Sequence, residues 1–359
     1  MPAQTPLKEA LHLPVTAQAR EEILDRLWPY PGTDAEQKTK PDWGAYFAYY
    51  HRQCSMALFD EGRQVCVRNH EDVLRITSLL TAEHTRSYVK SKISEDLTQP
   101  RTEEEVTRML DGSVNLAAKL LAMIDVGSLP SEISSRRALP WSDESLYAAI
   151  HTHFNSSQIQ AFDKVSLGTD FTARNIVKFA GIAIVWVDNL LDHLRLVDGD
   201  RKLCVFHHVS FLKRMAQTQS PAFPPGFVQE TLETLMLLFP SSDRKAKRWL
   251  QSAAKRDDLT VEVDASLFTI GMLKTSHPTR CLENMKFWGE RIGALSDAVD
   301  ESTPPTKTLL KALNDHKQSD RWLSSWVAIV AIGLTLLFGL IQSIEGAIQV
   351  YKTYRPGTE

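Results

Sequence analysis

From Trp322 to Ile344 the chain reads WLSSWVAIVAIGLTLLFGLIQSI, 23 residues without one charge. As a helix rising about 1.5 Å per residue it is roughly 34 Å long, enough to cross a hydrocarbon core of about 30 Å with some tilt. A buried core helix is usually shorter and keeps a polar stripe, whereas here the strongly polar groups wait until Gln342 and Glu345. Trp322 and Trp326 at one end, and Tyr351, Tyr354, Lys352 and Arg355 beyond the other, have the character of interfacial anchors. The run, with Gly333 and Gly339 inside it, predicts one membrane span.

The opening MPAQTPLKEALHLPVTAQAREE has no apolar core of signal-peptide length. Insertion is then expected to wait for the last segment, as in a tail-anchored protein. Lys307, Lys311, Lys317 and Arg321 precede the span against Lys352 and Arg355 after it, which favours a cytosolic body and a short translocated tail. The charge of −3 gives no argument for nucleic acid or another polyanion as partner. Four scattered cysteines with no CxxC fit a reducing compartment and argue against a disulfide scaffold or a sequence-local zinc site.

Most of residues 1–321 has helical period. Thr16 is placed to cap a helix through Trp28, and Thr102 with Glu105 makes a capping-box pattern for a helix that Gly127 would stop. Ser142 would cap a shorter helix, and a long one is expected after Pro278, running from Cys281 to Val299 before DESTPP (300–305) breaks it. Pro305 would open a stalk helix over 305–321. IAIVWV (182–187) is rich in β-formers, and LRLV and KLCVF (194–197, 202–206) flank Asp198-Gly199-Asp200-Arg201, a hairpin signal. LTVEV (259–263) alternates like a half-buried strand. The expected fold class is α+β: a mainly helical cytosolic body over 1–299 with a small β-sheet (about 182–206 and 259–263), and a long C-terminal helix continuing into one transmembrane helix and a tail, 345–359.

The sequence contains no GxxxxGK[ST], no GxGxxG after a strand, no HExxH and no GxSxG. The densest polar cluster is Asp188, Asp192, His193, His207 and His208. If 189–193 makes a helical turn, Asp188 and Asp192 share a face, and His207 or His208 approaches from the neighbouring strand. Carboxylate and imidazole together can hold a divalent metal or act as acid and base. No ligand spacing here is diagnostic, so the plainer expectation is a turn capped by Asp188 and satisfied core histidines, with no metal and no cofactor. His151 and His153 at a helix end read the same way.

In DRKAKRWLQSAAKR (243–256), Ala246, Trp249, Leu250, Ala253 and Ala254 form an apolar face opposite Arg244, Lys245, Lys247, Arg248, Lys255 and Arg256. Such a basic helix can rest on anionic lipid, although a charge run is more often a solvated face. In the span, Ala331, Thr335, Gly339, Ser343 and Ala347 recur every four residues, a spacing that lets two helices approach, with Gln342 and Gln349 near the same stripe.

FTARNIVKFAGIAIVWVDNLLDHLRLVDGDRKLCVFHHVSFL (171–212), WVAIVAIGLTLLFGLIQSIEGAIQVYK (326–352) and SVNLAAKLLAMIDVGSLP (113–130) resemble a paralogue-rich group of filamentous-ascomycete proteins. That resemblance implies a fungal origin and a C-terminal span; the group carries no assigned activity, so no functional residue transfers. In layout the chain is also similar to CorA-type metal channels, which join an α/β body to the membrane through a long helix. It departs from them in having no GMN after the span and no second span. The leading expectation is a non-enzymatic anchored protein whose body binds a protein partner. The alternatives are a metal-transport-related oligomer and a tethered enzyme using the Asp188 cluster.

Overall fold

The computed structural model describes residues 6–30, 41–59, 62–97, 102–127, 137–156, 167–168, 170–255, 261–271, 281–302 and 319–354. By internal contacts the chain divides into two units, Met1–Val299 and Asp300–Glu359. The first is mainly helical with one three-stranded sheet, an α+β body as expected.

Its N-terminal helices are α1 (Ala17–Leu27), α2 (Gly44–Ala57), α3 (His70–Thr81), α4 (Arg86–Ser94) and α5 (Glu103–Ala122). Thr16 caps α1 through the Ala19 N–H at 3.3 Å. Thr102 and Glu105 close the capping box of α5, at 3.3 Å and 3.1 Å. Helix α5 stops at Met123, whose φ of 53° is left-handed, and not at Gly127 as expected. Apolar residues three and four apart on α5 face inward, so α2, α3 and α4 all pack on it. Gly112 permits the close approach of the α2–α3 connection: a Cβ there would stand 2.0 Å from the Gln64 carbonyl oxygen.

Then come α6 (Leu146–Ser156), α7 (Ala173–Asn175) and the sheet: β1 (Ala183–Val187), β2 (Leu196–Val197) and β3 (Lys202–Phe206). The α6 cap is Ser145, which accepts the Ala148 N–H at 3.2 Å, not Ser142. β2 and β3 form the expected hairpin, with Leu196 opposite Leu203. Its turn holds Asp198, Gly199 and Asp200 all at φ near 60°, a region that Asp and Gly tolerate best. β3 is central, and β1 pairs with it in parallel, Val187 opposite Phe206. No fourth strand joins from 261–263, which are irregular; 259 and 260 lie outside the described residues.

Helices α8 (Val209–Thr218), α9 (Phe227–Leu238), α10 (Arg244–Ala253) and α11 (Gly289–Ser302) complete the body. The helix expected from Cys281 starts only at α11. Residues 282–284 make a single 3-10 turn, and the chain then extends so that Glu230 on α9 accepts the N–H groups of Lys286, Phe287 and Trp288 at 2.8–2.9 Å. Those donors lie immediately before α11, with Trp288 as its flanking residue, so the carboxylate holds 286–288 out of the helix and fixes where α11 begins. Helix α11 runs through Ser302, into the DESTPP segment. Phe154, Phe227, Phe287 and Trp288 pack into one aromatic core, with centroids 4.1 Å apart for Phe154 and Phe227.

The second unit is described as α12 (Ser319–Tyr354), a 36-residue helix that contains the whole predicted span. Its stretch long and apolar enough to cross a membrane is Val330–Tyr351, extending further toward the C-terminus than 322–344. That C-terminal apolar helix of 22 residues fits a single membrane span. Residues 303–318, and so most of the expected stalk, lie outside the described residues.

Candidate functional site

The polar cluster read from the sequence is divided in two by the fold. Asn189 caps a 3-10 turn, Leu190–Asp192, with its side chain accepting the Leu191 N–H at 3.3 Å. Such a turn has about three residues per turn, against 3.6 in an α-helix, so Asp188 and Asp192 are not stacked one turn apart, although both line one cleft. The residue capping this turn is Asn189, not Asp188.

Asp192 and His193 turn into the framework. Asp192 accepts the Arg137 N–H at 3.2 Å and an Asn189 side-chain N–H at 3.0 Å, and lies 3.3 Å from Arg195 Nε. His193 is fully buried; its Nδ1 accepts the Phe206 N–H at 3.2 Å. Thr234 Oγ1 donates to the Thr231 carbonyl, so it must accept from His193 Nε2 at 2.8 Å. The proton is therefore on Nε2 and the ring is neutral. Burial, and then the Arg291 charge, hold its pKa down to about 3.

Asp188 meets His207 and His208 because β1 and β3 are parallel and in register. Residues leaving the C-terminal ends of two such strands emerge side by side. His208 Nε2 lies 2.8 Å from Asp188 Oδ1, His207 Nε2 lies 3.5 Å from the same oxygen, and Arg52 from α2 pairs with Oδ2. Both imidazoles are buried, and Asp188 faces a cleft of about 680 Å³ lined also by Tyr49, Asp125, Trp186 and Lys202. Burial pushes the Asp188 carboxyl up, but the close contacts and charges of His207 and His208 outweigh it and hold the group well below the usual carboxylate range. His208 is kept neutral, at about 4, by burial first and then by the neighbouring His207.

Asp188, His207 and His208 put their ligand atoms within 4.8 Å of one another, a looser grouping than the edge of roughly 3.3 Å in tetrahedral zinc with bonds of about 2.0 Å. The proton positions oppose that use. His207 Nδ1 accepts the Asp264 N–H at 3.2 Å, so a neutral His207 carries its proton on Nε2, the atom a metal would need. A ligating histidine has the reverse arrangement, with the far nitrogen donating. The geometry reads as one carboxylate receiving the His208 N–H and a guanidinium, with His207 Nε2 close by at 3.5 Å but without a hydrogen bond. His208 Nδ1 is left with a lone pair and no hydrogen-bond partner, buried with 1% of the residue exposed.

Arg52 and Asp264 belong to this arrangement and were not singled out in the sequence. Asp264 had a legible signal in Val263-Asp264-Ala265-Ser266. It caps the turn Ala265–Thr269 through the Ser266 N–H at 2.8 Å and also takes the Ser210 N–H at 2.6 Å. Arg52 had none, because it comes from a helix 136 residues away. His151 bonds the Pro221 carbonyl at 2.9 Å, while His153 lines a separate cleft with three arginines.

On α10, Ala246 and Leu250 are buried and Trp249 is half-buried against the core. Arg244, Lys245, Lys247 and Arg248 are all exposed, with no acidic partner among the described residues. Arg256 lies outside the described residues. In α12, Thr335 Oγ1 donates to the Ala331 carbonyl at 2.8 Å, and a Cβ at Gly333 or Gly339 would meet nothing within 4 Å. No family model, curated protein or solved structure matches the chain.

Proposed function

We propose that this is a single-pass protein anchored by α12, with a cytosolic body that acts by binding a protein partner and not by catalysis. The observation that carries the anchor is the exposure of the large apolar side chains of α12, among them Leu336 at 70%, Phe338 at 59% and Ile341 at 41%. Side chains of that size left facing solvent along a whole helix need either lipid or a partner to cover them. The binding role is supported by the state of the polar cluster: the charge of Asp188 is taken up by His208 and Arg52, and His208 is shut from solvent, so neither Asp188 nor His208 is poised as acid, base or nucleophile.

A second membrane contact is favoured by α10. Its unpaired basic face suits an anionic leaflet, where each Lys or Arg contributes about 1 kcal/mol, and the chain itself confines the body near lipid. Carbonate extraction tests the anchor: the full chain stays in the pellet, and its release would refute the reading. Protease added to sealed microsomes is expected to digest the body and spare α12. Removing Arg244, Lys245, Lys247 and Arg248 as Gln should lower binding of a truncation ending at Arg321 to anionic vesicles. Binding that is indifferent to anionic lipid would leave α10 a solvated face.

A further inference from the structure

A second cleft, of about 320 Å³, opens on the other side of the Asp192 turn, between α11, the bend at Leu194–Leu196 and Arg137. We propose that it binds a small phosphomonoester, gripped by Arg137, Arg195 and Arg291. The proposal does not rest on the anchor or on the chemistry of Asp188, although Arg195 lines both clefts.

The guanidinium groups of Arg291 and Arg195 are held by buried framework, and Arg137 is held there through its backbone. Arg291 Nη1 donates to the carbonyls of Leu191 and His193, and the group lies 5.1 Å from the centre of the Trp288 ring. Among the described residues no other acceptor meets that guanidinium, and no carboxylate pairs with it. Arg137 is exposed at the mouth, with no side-chain acceptor among the described residues. Its backbone is pinned on both sides: its N–H goes to Asp192, and its carbonyl accepts from Asn189 at 2.7 Å. Arg195 keeps one edge on Asp192, with its side chain 16% exposed.

Placing three such cations together costs energy. The Arg291 pKa falls to about 10, through burial first and then through repulsion from Arg137, opposed by Asp192. The His153 pKa is lowered by burial and by the charges of Arg291 and Arg137. Asp200, Glu290 and Arg137 on the same lining are exposed, where water screens them, and the less exposed charges of the lining, Arg195 and Arg291, are cationic. A planar carboxylate is satisfied by one guanidinium fork. Forks arriving from three separate elements suit the tetrahedral oxygens of phosphate better. Phe154, Phe287 and Trp288 give the cleft an apolar wall for the rest of the molecule, and its volume is at the small end for ligand sites.

The test is calorimetry on the full chain in detergent, with phenyl phosphate as probe and benzoate as the carboxylate control. Phenyl phosphate should bind at least about tenfold more tightly than benzoate, as expected if charge-assisted bonds are added. Arg137→Ala, which breaks no bond inside the described fold, should weaken it about tenfold, and Asp200→Asn should tighten it about threefold. Equal binding of the two probes, or Arg137→Ala and Arg291→Lys both binding phenyl phosphate like the unaltered chain, would overturn the proposal. Vesicles with phosphatidic acid separate the sources. If Arg137→Ala also lowers vesicle binding, a lipid headgroup supplies the phosphomonoester; if only phenyl phosphate binding falls, the source is a soluble metabolite.

Discussion

Acid should unfold this body earlier than its net charge would suggest, and His193 isolates the cause. A second proton on this ring has to go on Nδ1, which already accepts the Phe206 N–H at 3.2 Å, so protonation sets donor against donor inside a dry aromatic core. The folded pKa is about 3 against an ordinary value of 6.5. Between those two values the unfolded chain binds more protons than the folded one. Stability therefore falls as pH drops below about 6.5 and is flat above it. At pH 5 the loss is about 2 kcal/mol for this one group. His208 and His70, both held to about 4 chiefly by burial, add a similar amount each, for about 6 kcal/mol in all. That is comparable to the whole stability of many domains.

Asp192, Glu230 and Asp264 work in the opposite sense. Burial raises their pKa values, so they recover stability as they protonate in the folded state. The net slope is thus smaller than the histidine sum, and the clean measurement is a difference. Gln at 193 can donate to Thr234 and accept from Phe206 without titrating. Urea unfolding followed by Trp fluorescence at pH 7.5 and 5 should give His193→Gln a pH-dependent loss about 2 kcal/mol smaller than that of the unaltered chain. Identical losses in the two proteins would refute the argument, whatever their absolute stabilities.

Asp188→Asn leaves Arg52 without its carboxylate at a half-buried site, and should cost about 2 kcal/mol in urea unfolding, discounted from the 3–5 of a fully buried pair because Arg52 keeps 34% of its side chain exposed. Added zinc should not raise the melting temperature of the unaltered protein, since His207 offers metal the wrong nitrogen; a zinc-dependent rise lost in His207→Ala would refute that assignment. Gly112→Ala must push α5 away from the Gln64 backbone, so it should cost more than about 3 kcal/mol and lower soluble yield, whereas Gly199→Ala has room for its Cβ and should lose only about 1 from its positive φ. If α12 self-associates through its small residues, Gly339→Leu should reduce crosslinking in membranes; unchanged crosslinking in both Gly339→Leu and Ala331→Leu would make the stripe incidental.

What the sequence made legible follows from the range of each signal. The hairpin over 194–206 was readable because Asp198-Gly199-Asp200 carries its turn chemistry locally, and the caps at Thr16 and Thr102 likewise satisfy donors within three residues. The start of α11 was misplaced because its determinant, Glu230, lies 56 to 58 residues upstream, so Cys281–Trp288 carries helical spacing without a helix. The same limit explains the site. Asp188, His207 and His208 could be listed together, but what joins them is the parallel pairing of Val187 with Phe206, and an apolar strand does not disclose which partner it will take.

That pairing also decides what the cluster is for. A parallel edge strand ends without a tight return to its partner, so Asp188 and His207 leave the sheet together with polar groups that water must satisfy or the protein must. Here the protein does so for the Asp188 carboxylate and for His207 Nδ1. Asp264 donates its backbone N–H to His207 and accepts from Ser210, Arg52 closes the far oxygen of Asp188, and helices α2 and α8 are thereby tied to the end of the sheet. The arginines beyond Asp192 are the contrary case: Arg195 pairs with Asp192, but among the described residues no carboxylate pairs with Arg137 or Arg291. Of the two polar groupings flanking the 188–195 turn, the first fastens the body and the second is the one left to recognise something outside it.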